Sequence, residues 1–245
     1  MILKKFDKLP MEFQNDSVLK YYEILKKKRT SILLKRIFDF TMSSLLLLGL
    51  SPILFIIAIC VKLDSPGNAI FKQKRITRYG KEFYIYKFRT MYQGSERGSQ
   101  VTINNDVRIT KVGRVLRQYR IDELLQLINI LKGEMSFVGT RPEVKKYVEC
   151  YSDEMYATLL LPAGVTSLAS IKYKDEDRLL SDSSDLDNTY INEILKDKMK
   201  FNLEYIDKFS IWYDFRLMIS TIFAVLKKDD KNIGKVETES EKINV

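Results

Sequence analysis

The sequence predicts an α+β fold, mainly helical, in which a re-entrant membrane helix-break-helix carries a small cytoplasmic domain with interfacial amphipathic helices. Three observations support this: the apolar run Ile37–Val61 interrupted by Ser51-Pro52, basic residues on both sides of that run, and a switch from alternating to helical periodicity beyond it. Over 245 residues, 45% hydrophobic and 30% charged, four segments follow. They are a basic amphipathic N-terminal lead-in at 1–36, the re-entrant membrane helix at 37–61, the cytoplasmic domain at 62–226 and a polar tail at 227–245.

The lead-in contains a short amphipathic helix near Ser17–Lys28, suited to a membrane surface. The apolar run would measure about 37 Å as a straight helix, enough to cross a hydrocarbon core of about 30 Å. Pro52 removes an amide donor and crowds the turn before it, leaving arms of about 21 and 14 Å that cannot cross alone. Lys26, Lys27, Lys28, Arg29, Lys35 and Arg36 precede the run, and Lys62, Lys72, Lys74, Arg75, Arg78 and Lys81 follow it. Basic flanks mark the cytoplasmic side, and here both are basic. A helix that enters one leaflet and returns satisfies this, with Ser51 bonding backbone groups freed near Pro52. A Pro-kinked single span is the alternative.

Beyond the run, Asp64-Ser65-Pro66-Gly67-Asn68 is a turn, and Ala69–Arg75 and Glu82–Arg89 alternate as two strands of a hairpin around Tyr79-Gly80. Residues 91–108 are polar and Gly/Ser/Asn-rich, a loop long enough to suggest function. Gly113–Leu131 has helical spacing in two pieces, Asp122-Glu123 opening the second and Gly133 ending it. Residues 188–208 and Ile211–Leu226 are amphipathic helix candidates, the second with Trp212, Tyr213 and Phe215 at its start. From Lys227 the composition reads as a disordered tail.

The chain has no histidine, which removes Ser-His-Asp and Cys-His nucleophile systems and HExxH metal sites. Neither a Walker loop nor GxGxxG occurs. Cys60 and Cys150 are far apart in sequence, so a disulfide framework is not expected and a reducing compartment fits. The net charge of +9 beside an apolar run suits phosphorylated ligands or an anionic leaflet.

Chemical signal concentrates between Lys87 and Glu143, where Lys87, Arg89, Arg114, Arg117 and Arg141 surround the pair Asp122-Glu123. Guanidinium forks match phosphate oxygens, and a carboxylate at a helix start is kept ionised by the amide dipoles there. Adjacent acids can divide phosphoryl chemistry, one attacking phosphorus and the other helping to hold Mg²⁺. Equally, the pair could simply favour the first turn of a helix, and the arginines could be a solvated face.

Several ordered motifs together resemble the bacterial monotopic phosphoglycosyl transferases. They are Lys35-Arg36-Ile37-Phe38-Asp39, the Ser51-Pro52 break, Phe71-Lys72-Gln73 with Arg75, Tyr86-Lys87-Phe88-Arg89-Thr90-Met91, Val112-Gly113-Arg114 through Asp122-Glu123-Leu124, and Leu131 through Glu143. The resemblance covers roughly residues 30–226 and implies transfer of a phosphosugar from a nucleotide diphosphate sugar, typically a UDP-sugar, to undecaprenyl phosphate. The place would be the cytoplasmic face of the bacterial inner membrane and the role the first membrane step of surface-glycan assembly. By this resemblance Asp122 is the nucleophile and Glu123 its partner, both near Mg²⁺; Arg117, Arg89, Arg114, Arg141 and Lys87 bind phosphate; Ser51 and Pro52 form the membrane break. The resemblance implies no nucleic acid, leaves a homodimer open and names neither sugar nor pathway.

Two departures stand out. Arg120-Ile121-Asp122-Glu123-Leu124-Leu125 replaces the usual Ser-Leu-Asp-Glu-Leu-Pro, and Pro162-Ala163-Gly164-Val165-Thr166 replaces a Pro-Gly-Ile-Thr-Gly-type stretch expected to bear on the donor. Two other readings stay open: a bitopic protein with a basic nucleic-acid-binding domain, and a metal-dependent glycosyltransferase using Asp185-Leu186-Asp187.

Overall fold

The computed structural model describes residues 3–95, 106–173 and 186–226. Part of the 91–108 loop, Asp185 of the Asp-x-Asp motif and the 227–245 tail lie outside the described residues. The fold is mainly helical, as the sequence predicts, and contains two small sheets.

Helix α1 (Asp16–Lys27) begins at Asn15, whose side chain accepts a hydrogen bond from the Val18 amide at 2.9 Å, a capping arrangement worth about 1 kcal/mol. Val18, Tyr21, Tyr22 and Leu25 recur at helical spacing and are all buried, with Leu3, Leu9 and Phe13 ahead of them, in the largest hydrophobic cluster. The segment expected as a surface lead-in therefore carries a structural face of the folded domain. Its partners include Tyr79 at the hairpin tip, whose hydroxyl accepts from the Lys4 amide at 3.0 Å, and Leu160 and Ile206 further along the chain.

Helix α2 (Arg29–Asp64) starts eight residues before the apolar run and continues through Pro52, where the sequence predicts a break. The reason is local. Pro52 cannot donate to the carbonyl of Leu48, and the Ser51 hydroxyl donates to that carbonyl instead, at 2.8 Å. On the domain side Leu46, Leu47 and Leu50 pack against Phe83, Ile85, Leu127 and Ile130, while Leu54, Ile57 and Ala58 pack against Phe88, Leu116 and Leu125. On the opposite side Leu45, Leu48, Ile53, Phe55, Ile56 and Ile59 are exposed. A helix apolar all round whose outer stripe is uncovered is one that water does not suit.

Strands β1 (Ile70–Thr77) and β2 (Lys81–Phe88) form an antiparallel hairpin in the register Ile70↔Phe88 to Thr77↔Lys81. Tyr79 in the turn takes a left-handed φ of 60°. Helix α3 (Lys111–Gln118), a 3-10 turn at Ile121–Leu125 and helix α4 (Gln126–Lys132) follow, and Gly133, at φ 79°, terminates α4. The two-piece helix of the sequence reading is thus present, with its acidic pair on the intervening turn. Strands β3 (Met135–Val138) and β4 (Ala163–Thr166) pair in parallel, an element the sequence reading lacks. The short helices α5 (Lys145–Val148) and α6 (Leu168–Lys172) complete the central part. Helix α7 (Leu186–Thr189) leads through a π turn at Tyr190–Ile194 into α8 (Leu195–Asp207), and α9 (Ile211–Leu226) closes the described chain.

Three residues near the start of α2 bind it to the domain. Lys35 Nζ lies 2.6 Å from Asp214 Oδ2 of α9 in a buried ion pair, and the Tyr205 hydroxyl of α8 donates to the other Asp214 oxygen at 2.7 Å. Arg36 donates to the carbonyls of Ile130 and Leu131 at the end of α4, at 2.7 and 2.9 Å. Asp39 accepts from the Phe137 amide of β3 at 3.2 Å. At the other end of α2, Asp64 accepts from the Val112 amide at 2.9 Å.

Candidate active site

The acidic pair is positioned from both sides. Thr110 caps α3, accepting from the Gly113 amide at 3.0 Å, and Gly113 allows α3 to lie directly on the strand exit. A Cβ on Gly113 would sit 2.2 Å from the Thr90 carbonyl oxygen, so no other residue fits without moving backbone. After α3 the chain reverses through Arg120 at φ 53°, a left-handed conformation costing roughly 1–2 kcal/mol for a non-glycine residue. The Glu123 amide then donates to the Arg120 carbonyl at 3.2 Å. The pair therefore stands on a 3-10 turn immediately after a strained residue rather than in the first turn of an α-helix.

Asp122 and Glu123 are both buried, yet their environments differ. Glu123 Oε1 receives Lys87 Nζ at 2.8 Å, from β2, and Arg141 Nη2 at 2.6 Å, from the segment after β3. Arg141 Nη1 reaches the other oxygen at 3.4 Å. Burial alone would push the Glu123 carboxyl up, but Arg141 and Lys87 outweigh it and hold this group well below the usual range. Asp122 has no hydrogen-bond or ion-pair partner among the described residues. Burial pushes its pKa up, and Lys87, Arg117 and Arg141 only partly offset that. Lys87 itself is lowered, by burial first, with Glu123 opposing. The outcome is one carboxylate saturated by cations and a neighbour left free for an incoming group.

Of the residues expected to bind phosphate, Lys87, Arg117 and Arg141 gather around the pair. Arg114 is exposed on α3. Arg89 is turned elsewhere: its guanidinium donates to the carbonyls of Val61, Ser65 and Pro66 at 3.2, 2.6 and 2.5 Å, capping the end of α2. The Arg-Pro-Glu motif likewise divides. Arg141 serves the site, while Glu143 accepts from the Tyr190 hydroxyl at 2.7 Å and lies 3.8 Å from Lys198, pinning the segment to the C-terminal helices. Tyr190 and Lys198 escape the sequence reading because nothing local marks them; their partner is more than 40 residues away.

Among the described residues no group of three or more His, Cys, Asp or Glu side chains could hold a metal ion. Of the pair, Asp122 is the one with uncommitted carboxylate oxygens, since those of Glu123 are taken. Mg²⁺ is commonly held by one or two carboxylates with its remaining positions filled by water or ligand oxygens, and Asp122 fits such a partial donor set rather than a cage built by the protein.

The model of the bacterial sugar transferase family matches residues 30–228. This chain belongs to that family. Among relatives of the sugar transferase, the UDP-N-acetylgalactosamine-undecaprenyl-phosphate N-acetylgalactosaminephosphotransferase of Aeromonas hydrophila is 37% identical over 181 residues, 72% of this chain and 40% of the relative. The UDP-glucose:undecaprenyl-phosphate glucose-1-phosphate transferase of Escherichia coli is 38% identical over 197 residues, 78% of this chain and 40% of the relative. The undecaprenyl-phosphate galactose phosphotransferase of Salmonella typhimurium is 32% identical over 218 residues, covering 82% and 42% respectively. The sugar transferase thus spans about two fifths of the length of these curated relatives. Their names carry three different sugars at similar identity, so similarity does not choose among donors.

Proposed function

We propose that this sugar transferase moves a sugar 1-phosphate from a UDP-sugar to undecaprenyl phosphate, releasing UMP, at the cytoplasmic face of the inner membrane. The observation that carries the reading is the free, buried Asp122 beside a Glu123 neutralised by Lys87 and Arg141. The Asp122 carboxylate attacks the sugar-bearing phosphorus; a carboxyl O–P bond forms, the phosphoanhydride P–O bond breaks, and its electron pair leaves on UMP. An oxygen of undecaprenyl phosphate then attacks the same phosphorus, the acyl-phosphate bond breaks, and Asp122 returns to a carboxylate. Neither step needs a proton from the protein, which suits a chain without histidine. Lys87, Arg117 and Arg141 stabilise charge on the phosphate oxygens, and burial strengthens that attraction. Asp122 would hold Mg²⁺, and the ion would supply further neutralisation of phosphate charge.

The lipid acceptor requires the site to lie near the bilayer, and α2 supports this. Both its Lys35–Asp39 end and its Val61–Asp64 end are bonded to the one domain, which favours insertion in a single leaflet over a span. Exposed Ile219, Ile222 and Phe223 on α9, with Trp212 at 79% exposure, suit an interfacial position. The Asp-x-Asp alternative is less well supported, because Asp187 is engaged by Lys146 at 2.5 Å and Tyr147 at 2.7 Å.

The test is a screen of UDP-glucose, UDP-galactose and UDP-N-acetylhexosamines with undecaprenyl phosphate. UMP release together with acid-precipitable label from the sugar phosphate is expected; UDP release with every donor would overturn the proposal.

A further inference from the structure

Gln126 is 1% exposed, and neither its amide nitrogen nor its amide oxygen has a hydrogen-bond partner among the described residues. Buried amides are ordinarily paired, so an orphan of this kind calls for an explanation in function. Its position is specific. The Gln126 main-chain amide donates to the Glu123 carbonyl, and the side chain follows one turn later on the same face. One further turn along, Asn129 is fully used: its oxygen accepts from the Tyr86 amide at 3.1 Å, and its nitrogen donates to the Tyr84 carbonyl and to Glu134 at 2.7 and 2.8 Å. The seam between α4 and β2 is thus satisfied one turn after Gln126, and one turn before it stands Glu123, held by Lys87 and Arg141.

Lys87 and Arg141 are also the cations that the proposed function directs to the donor's phosphates. As a diphosphate draws them away, the Glu123 carboxylate loses donors while remaining buried, a costly state unless another donor replaces them. We propose that Gln126 is a positioning residue that supplies this replacement: its amide N–H takes the Glu123 carboxylate when substrate phosphate engages Lys87 and Arg141. This rests on the phosphosugar-transfer reading of the site. The orphaned amide then has a use in the loaded enzyme that it lacks in the free one, a trade of stability for activity.

The experiment compares the full chain with Gln126→Met and Gln126→Glu in detergent, recording melting temperature and the kcat and KM for UMP release from the donor selected in the screen. Methionine matches the shape without the amide, so the melting temperature should hold or rise, KM should stay within about threefold, and kcat should fall at least about tenfold. Glutamate cannot donate when ionised and repels Glu123, so its kcat should be lower still. A kcat within about twofold of the parent in Gln126→Met would overturn the proposal, as would parental activity in Gln126→Glu or a main effect on KM. A fall of melting temperature together with kcat in Gln126→Met would make the amide structural and overturn it equally. Absence of UMP release by the parent chain with every donor would instead be a failure of the functional reading, and is seen before any variant is compared.

Discussion

Arg141 Nη2 lies 2.6 Å from Glu123 Oε1, while the carboxylate one residue earlier, Asp122, has no partner among the described residues. Two adjacent acids are thus set to opposite tasks by cations that come from β2 and from the segment after β3. Opposite responses to neutralisation follow.

Asp122→Asn removes a buried carboxylate whose charged form is disfavoured, so the variant should melt at or above the parent temperature at neutral pH while losing UMP release and covalent label. Glu123→Gln leaves Lys87 and Arg141 without their anion and should cost about 3–5 kcal/mol, the penalty for breaking a buried pair. Thermal or denaturant melts of both variants decide this, and a destabilised Asp122→Asn with a neutral Glu123→Gln would invert the assignment.

The pH dependence of stability should carry both signs. Glu123, depressed in the fold, stabilises above its ordinary carboxylate value, and this contribution is lost as pH falls through the lower folded value. Asp122, raised in the fold, disfavours the folded state increasingly as pH climbs from the ordinary value through the raised one. Because attack needs the anion, the rate should rise along an acid limb set by Asp122. Removing the strongest offsetting cation with Lys87→Met should move that limb to higher pH, and a limb that stayed put or moved down would detach it from Asp122.

Topology is open to labelling. With Cys60 and Cys150 replaced, Lys27→Cys and Lys81→Cys, both at exposed positions, should react with impermeant reagent only after the cytoplasmic side is opened. Reaction of either from outside in intact cells would establish a span.

The N-terminal segment should prove essential to the fold. Phe13 is 1% exposed and packs edge-on against Tyr79 and Tyr156, so Phe13→Ala should destabilise by about 3–5 kcal/mol. A truncation that begins at residue 30, where the family match starts, should express without a cooperative melt; retained cooperativity would show that residues 3–27 are dispensable.

Local signals made much of this legible. The hairpin could be read because turn residues separate two alternating runs, and α9 because its apolar spacing is unbroken. Ser51 was legible as a remedy for Pro52, although not its extent, since one hydroxyl on the Leu48 carbonyl suffices to keep the helix going. The pairing of β3 with β4 was not legible: four residues are too few for periodicity, and the partners lie 28 positions apart. In α1 the stripe Val18, Tyr21, Tyr22 and Leu25 was visible, but a stripe does not say whether it meets lipid or Tyr79 and Leu160. At the site, residue types were readable and their division of labour was not. Arg89 and Arg141 look alike in sequence, and only packing assigns one to a helix end and the other to Glu123.

The cap that Arg89 places on α2 bears on how deep the sugar transferase can sit. A helix ending in hydrocarbon or headgroups must otherwise leave its last carbonyls to water, which ties its terminus to the wet side of the interface. Here the guanidinium that satisfies Val61, Ser65 and Pro66 is carried in from the end of β2, two residues beyond Lys87. The end of α2 and the turn after it are therefore tied to the strand that carries Lys87, and a bilayer of different thickness should leave the spacing between this helix end and that lysine unaltered.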